Sequence, residues 1–385
     1  MVKRMPNHRQ AHIYADTVWA YSLAMTRMNS RPRALKGRGA LSNPPGRFDA
    51  QQITAVDDGW YMEEEADSIP TTLEPDKARG VITTNDSPDV GFDQSINPYR
   101  GCSTGCVFCF ARPTHAYLGL SPGLDFETRL FYKADAARLL EAELARPGYV
   151  CKPIMLGINT DAYQPDERRM RVTRSILEVL ERARHPVSIL SKHSLVLRDL
   201  DLLTSLARDN LVSVSLTVIT LDDDLKRRLE PRAASPAARI RTLAALAAAG
   251  VPCGVMVAPV IPAITDHEME RILEACAGAG ARWAGYVLLR LPYEVKDLFR
   301  EWLAEHYPDR AAHVMSLIHE MRGGRDNDPR FGSRMRGTGP HALLLRNRFK
   351  LACQRLKLNQ TERGSLDTTL FRPPGPAGAQ LRLSL

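Results

Sequence analysis

The stretch Cys102-Ser-Thr-Gly-Cys106-Val-Phe-Cys109 sets three thiols within eight residues at C-x3-C-x2-C spacing. So short a loop is poor disulfide geometry, whereas thiolates are soft ligands that select iron-sulfur clusters or zinc. Three thiolates can hold three irons of a cubane, leaving the fourth iron without a nearby cysteine. An iron without a protein ligand is a place where a small molecule can bind. Two other arrangements stay open on spacing alone. A closed zinc site needs four protein ligands, and only His115 lies nearby as a fourth. A cluster with a distant fourth cysteine, Cys151 or Cys353, would be an electron carrier. Of the seven cysteines, Cys151, Cys253, Cys276 and Cys353 stand singly among apolar neighbours, as small buried hydrophobes do.

Such a loop must be carried by a scaffold, and from about residue 93 short apolar runs alternate with helical patterns. The expected strands are 95–98, 153–159, 187–191, 211–217, 254–260 and 283–289; the expected helices are 134–145, 166–184, 195–208, 235–249 and 266–279. Strand alternating with helix at this spacing means βαβ units and a parallel sheet. Ser235-Pro236 reads as an N-cap with proline in the first helical position, and Gly250 as a helix stop. The expected fold class is α/β, a partial (βα)6 barrel open on one side. Residues 1–92 read as an extended or partly ordered leader without a core of its own. Residues 93–325 form the barrel, and 326–385 a helical C-terminal extension, with helices at 310–321 and 343–356 and a loose tail from 361.

In a barrel of this kind the site belongs at the carboxyl ends of the strands. Those ends carry Asn159-Thr160-Asp161, Ser191-Lys192-His193 and Arg290, while the period of two puts Ser213, Ser215 and Thr217 on one face. Each has a plainer role available: Lys192 as an exposed lysine, the hydroxyls as partners of backbone groups, Asp161 as a helix N-cap, His115 and His193 as structural side chains.

The composition, 44% hydrophobic and 25% charged, excludes wholesale disorder. No apolar stretch approaches the ~20 residues needed to cross a bilayer, and the basic first ten residues lack a secretory apolar core. The expected location is therefore the cytoplasm, with no membrane partner. Net charge is +8, distributed as +7 over residues 1–50, −8 over 51–100 and +9 over 321–385, so the middle is neutral. Basic flanks favour an anionic partner, or simply a solvated surface.

With these residues in view, residues 93 to about 325 resemble the radical S-adenosylmethionine superfamily, whose signature is C-x3-C-x-aromatic-C; here the aromatic is Phe108. Ile96-Asn-Pro-Tyr-Arg-Gly-Cys102 and Cys109-Phe-Ala-Arg112 resemble the branch related to spore photoproduct lyase. Lys36-Gly-Arg-Gly-Ala-Leu-Ser-Asn43 and Asn159-Thr-Asp-Ala-Tyr-Gln-Pro165 resemble a bacterial group within that branch whose substrate is unsettled. The resemblance implies an enzyme in which Cys102, Cys106 and Cys109 hold a 4Fe-4S cluster and S-adenosylmethionine chelates the open iron. One electron then yields a 5′-deoxyadenosyl radical that abstracts hydrogen from the substrate. It further implies Phe108 near the adenine, Thr160 and Asp161 near the cofactor amino group, Lys192 at its carboxylate and Ser215 at its ribose. Arg290 is a candidate by position alone.

The partners implied are a low-potential donor, flavodoxin or ferredoxin, and cluster-assembly machinery. Where the lyase has a hydrogen-donating cysteine this chain has Ile158, so the repair chemistry itself is not implied. Nucleic acid or another anionic macromolecule is the expected substrate class. The alternatives are a peptide or small metabolite, or a non-catalytic iron-sulfur or zinc protein with basic flanks.

Overall fold

The computed structural model describes residues 34–49, 69–360 and 366–375. All six expected strands form: β3 (Gln94–Ile96), β6 (Ile154–Leu156), β7 (Val187–Ser191), β8 (Val212–Thr217), β9 (Cys253–Val260) and β10 (Trp283–Leu288). Neighbours pair in parallel in the order β3-β6-β7-β8-β9-β10. A seventh strand not expected from the sequence, β2 (Ile82–Thr84), pairs antiparallel with β3. Among the described residues β2 and β10 are the sheet's two edges, so the barrel is partial. A smaller sheet joins β1 (Thr72–Pro75), β5 (Arg129–Tyr132) and β4 (Tyr99–Arg100). The leader thus supplies two strands whose short polar sequences carry no strong strand signal.

The crossovers are α1 (Ala136–Leu144), α2 (Val172–Arg182), α3 (Leu200–Arg208), α4 (Asp223–Leu229), α5 (Pro236–Ala248) and α6 (Met269–Gly278). α5 starts as its sequence requires: Ser235 Oγ accepts from the Ala238 N–H at 3.2 Å, and Pro236 sits where no N–H is needed. The expected helix 166–184 is instead broken at Arg171, whose φ of 54° interrupts the helical ladder and leaves α2 to start afresh. Period-two alternation then sorts the strands. Val212, Val214 and Leu216 of β8 are buried in the apolar core shared with α1, α2, α3 and α6, while Ser213, Ser215 and Thr217 line the interior cavity. β6 ends three residues early because Gly157, at φ +86°, turns the chain toward the rim.

Beyond β10 the chain forms α7 (Val295–His306), α8 (Pro308–Met321) and α9 (Gly339–Arg355). The stretch 366–375 is docked rather than loose. Asp367 and Arg372 donate backbone hydrogen bonds to Asn210 and Ala183, and Phe371 packs edge-on against His185. The first 33 residues, the acidic run at 63–65 and the last ten residues lie outside the described residues. Among the described residues no helix is long and apolar enough to cross a membrane.

Candidate functional site

The cysteine loop leaves β4 through Gly101 and turns again at Gly105, with φ of +73° and +74°. A β-carbon on Gly101 would come within 2.7 Å of Leu130 and 2.8 Å of His115, so only glycine fits. Backbone bonds tie the loop down: Cys102 N–H to the Phe126 carbonyl at 2.8 Å and Val107 N–H to the Leu229 carbonyl at 3.1 Å. Ser103 donates its N–H to Gln164 at 2.7 Å and its hydroxyl to Asp166 at 2.6 Å. Burial pushes the Cys102 thiol up to about 12 and raises those of Cys106 and Cys109, so loading a metal here must release protons.

Among the described residues no three His, Cys, Asp or Glu groups converge tightly enough for a single ion. A cubane asks less convergence, because each sulfur binds a different corner. His115 sits elsewhere: its Nε2 pairs with the Arg129 carbonyl at 2.9 Å and its ring meets Phe126 edge-on.

The three cysteines open on one cavity of about 1810 Å³ that runs through the barrel interior. Phe108, Thr160, Asp161, Lys192, Ser215 and Arg290 line the same cavity. Asp161 does not cap a helix. Its carboxylate accepts from Ser191 Oγ at 2.8 Å, the Lys192 N–H at 2.7 Å and the Tyr163 N–H at 2.9 Å, so it ties the end of β6 to that of β7. Thr160 donates its hydroxyl to the Tyr99 carbonyl at 3.2 Å, and Ser215 accepts from Trp283 Nε1 at 3.1 Å. His193 is structural: its ring meets the Thr104 hydroxyl at 3.0 Å beneath the cysteine loop.

Two buried charge groups at this site are built on glutamates that had no signal in the sequence. Glu230 is fully buried; it lies 2.9 Å from Lys192 Nζ, pairs with Arg239, and approaches Cys106 Sγ at 3.9 Å. Burial alone would raise its carboxyl, but Arg239 and then Lys192 outweigh that and hold it below the usual carboxylate range. The Lys192 ammonium, pinned by Glu230, rests 5.5 Å from the centre of the Phe108 ring. Glu230→Gln should therefore destabilise the fold by about 3–5 kcal/mol, because two buried cations lose their counter-charge. Urea unfolding reads this directly.

The second group is the ion pair of Arg112 and Glu127, both without solvent exposure. Arg112 holds the Cys106 carbonyl through Nε at 2.9 Å, while Glu127 accepts the N–H groups of Gly39 and Ala40 at 2.9 and 2.8 Å. The leader is thereby pulled onto the cysteine loop. A β-carbon on Gly39 would sit 1.8 Å from the Gly105 carbonyl oxygen. Gly39→Ala should push the two segments apart, costing roughly 1–3 kcal/mol and lowering the iron retained on anaerobic reconstitution. Unchanged iron content would mean that the leader contact does not seat the loop. Arg112 stood within the sequence motif, but Glu127 and Gly39 could be joined to it only in three dimensions.

A family model described as the Radical SAM superfamily matches residues 96–276. An uncharacterized protein of Mycobacterium tuberculosis is 39% identical over 228 residues, covering 59% of this chain and 67% of the relative. One of Methanocaldococcus jannaschii is 28% identical over 233 residues, covering 60% and 83%. The fold is similar to that of a spore photoproduct lyase variant with bound AdoMet and dinucleoside spore photoproduct. The TM-score is 0.52 at 14% identity, over 74% of this chain and 78% of that one.

Proposed function

This chain belongs to the radical SAM superfamily, enzymes that use a 4Fe-4S cluster and S-adenosylmethionine, and on that premise we propose that Cys102, Cys106 and Cys109 hold three of the irons. When bound, the cluster and cofactor supply a 5′-deoxyadenosyl radical that abstracts hydrogen from the substrate. What carries the reading is that three thiols, those of Cys102 and Cys106 buried and that of Cys109 half-buried, open on the same cavity as five side chains suited to the cofactor.

Each of the five has capacity to spare. Lys192 offers a cation for the cofactor carboxylate, held in place by Glu230. Asp161 uses three of its roughly four acceptor sites internally, leaving one for an ammonium. The Ser215 hydroxyl accepts from Trp283, so its own proton can be donated to a ribose oxygen. Thr160 donates inward and keeps lone pairs toward the cavity, and Phe108 offers a ring face. In this reading residues 93–325 are the catalytic unit, 1–92 the leader and 326–385 the extension.

The substrate we favour is nucleic acid. Seven Lys or Arg residues line the cavity against two Asp and no Glu, which suits an anion. The volume exceeds the roughly 300–1,000 Å³ of small-molecule sites, although the cluster and cofactor must occupy part of it. The basic end segments point the same way. A low-potential donor such as flavodoxin or ferredoxin, cluster-assembly machinery and a reducing cytoplasm complete the reading.

Two measurements test it. The anaerobically reconstituted protein should yield 5′-deoxyadenosine only when reduced; iron without that product, where a control enzyme makes it, would favour a non-catalytic binding protein. DNA or RNA should bind at ~50 mM salt and weaken as salt rises. No detectable binding at that salt removes nucleic acid as the substrate.

A further inference from the structure

Arg290 follows β10 at the cavity rim, and its surroundings do not account for its charge. Its Nε is buried without a hydrogen-bond partner. Its Nη1 reaches only the Met335 sulfur at 3.7 Å, and its guanidinium lies 5.8 Å from the centre of the Phe110 ring, beside Cys109. Among the described residues no carboxylate lies within ion-pair distance of it. The acid that acts on it, Asp89, is already engaged by Arg334 at 2.6 Å and by the Gly332 N–H at 2.7 Å.

Two further arginines crowd the same place. Arg334 lines the cavity next to Arg290. Arg322, almost fully buried, spends its donors on the carbonyls of Leu289 at 2.6 Å and Arg334 at 2.8 Å. Asp328, the acid that acts on Arg322, is held by Arg330 at 2.9 Å. Burial, then Arg334, lowers the affinity of Arg290 for its proton, with Asp89 acting the other way. A half-buried cation that lacks a counter-ion is a cost to the fold. An anionic ligand would remove that cost.

We propose that Arg290, flanked by Arg334, is a subsite for an anionic phosphate group of the substrate, set at the cavity rim beside the cysteine loop. Guanidinium forks match tetrahedral oxyanions through paired hydrogen bonds, and the unused Nε together with Nη supplies such a pair. The choice of phosphate over carboxylate rests on the nucleic-acid reading above. The site itself does not.

The test uses reconstituted, cofactor-loaded protein and two probes, inorganic pyrophosphate and a labelled single-stranded 12-mer. Arg290→Met should weaken both roughly 10- to 100-fold, the loss of a charged hydrogen-bonding partner, while the melting temperature holds or rises because an uncompensated charge is gone. Arg290→Lys keeps the charge without the fork and should fall between; it also serves if the methionine variant misfolds. Pyrophosphate binding that ignores both substitutions, or is undetectable in the wild type, overturns the subsite. So does a loss confined to S-adenosylmethionine affinity, which would assign Arg290 to the cofactor. A 12-mer that binds the wild type and Arg290→Met equally sinks the subsite and leaves the nucleic-acid reading standing. Arg290-dependent pyrophosphate binding with no 12-mer binding does the reverse.

Discussion

Replacing Cys106 by alanine should bring reductant-dependent 5′-deoxyadenosine to the uncatalysed background and leave no more iron than a variant lacking all three loop cysteines. Soft thiolate ligation has no substitute at this position, because Cys106 is buried and Glu230, the carboxylate 3.9 Å from its sulfur, is already paired with Lys192 and Arg239. The loop should nonetheless stay folded. Its hydrogen bonds run through the Cys102 and Val107 N–H groups and the Cys106 carbonyl, none of which the substitution touches. Circular dichroism matching the wild type would separate ligand loss from misfolding. The complementary variants are Cys151→Ala and Cys353→Ala, which should keep both iron and product. Cys353 lines the same cavity, beside Asn359 at 3.8 Å, so it is the sharper control. If Cys353→Ala loses its iron as Cys106→Ala does, the cluster has four cysteine ligands and no open corner, and the cofactor reading fails.

The core of this architecture is local, which is why it could be read from sequence. Each βαβ unit is announced by an apolar run such as Val187–Ser191 followed by a helical pattern with its own cap or stop, and period two alone placed Ser213, Ser215 and Thr217 inward. The cysteine spacing is likewise contained in one loop. What sequence could not show are pairings across long separations. β2 is three residues, Ile-Thr-Thr, whose place in the sheet is fixed by β3 and by Glu143, which accepts the Val81 and Ile82 N–H groups. Glu230 and Lys192 are 38 positions apart, Glu127 and Gly39 are 88, and a buried glutamate reads like any surface glutamate until its partners are known. The docked stretch around Phe371 is short and proline-bearing, and gains its order from distant partners: the rings of Tyr149 and His185 and the carbonyls of Asn210 and Ala183.

The Arg112 and Glu127 pair carries the largest stability effect expected of these substitutions. Arg112 makes one contact to Glu127 and three to carbonyls, of Cys106 at 2.9 Å, Pro122 at 3.1 Å and Gly123 at 2.8 Å. Arg112→Leu strands a fully buried carboxylate, costing about 3–5 kcal/mol, and takes their donor from the Pro122 and Gly123 carbonyls as well, at about 1–3 kcal/mol each before relaxation, while the Cys106 carbonyl keeps the Cys109 N–H at 3.3 Å. Against a typical total of roughly 5–15 kcal/mol, the variant should be marginal at best and should retain little iron. Arg112→Lys keeps the charge, but a single ammonium cannot reach three carbonyls and a carboxylate together. It should fold, with iron content between the two. The double variant Arg112→Leu/Glu127→Leu decides what the pair is for. Buried ion pairs can often be exchanged for apolar side chains without loss. Here the exchange should fail, because the Gly39 and Ala40 N–H groups and the Pro122 and Gly123 carbonyls lose their partners along with the charges. If the double variant unfolds in urea at the same midpoint as the wild type and binds as much iron, the pair is only a replaceable core contact. A midpoint and iron content as low as those of Arg112→Leu would instead make it the joint through which the leader holds the cysteine loop.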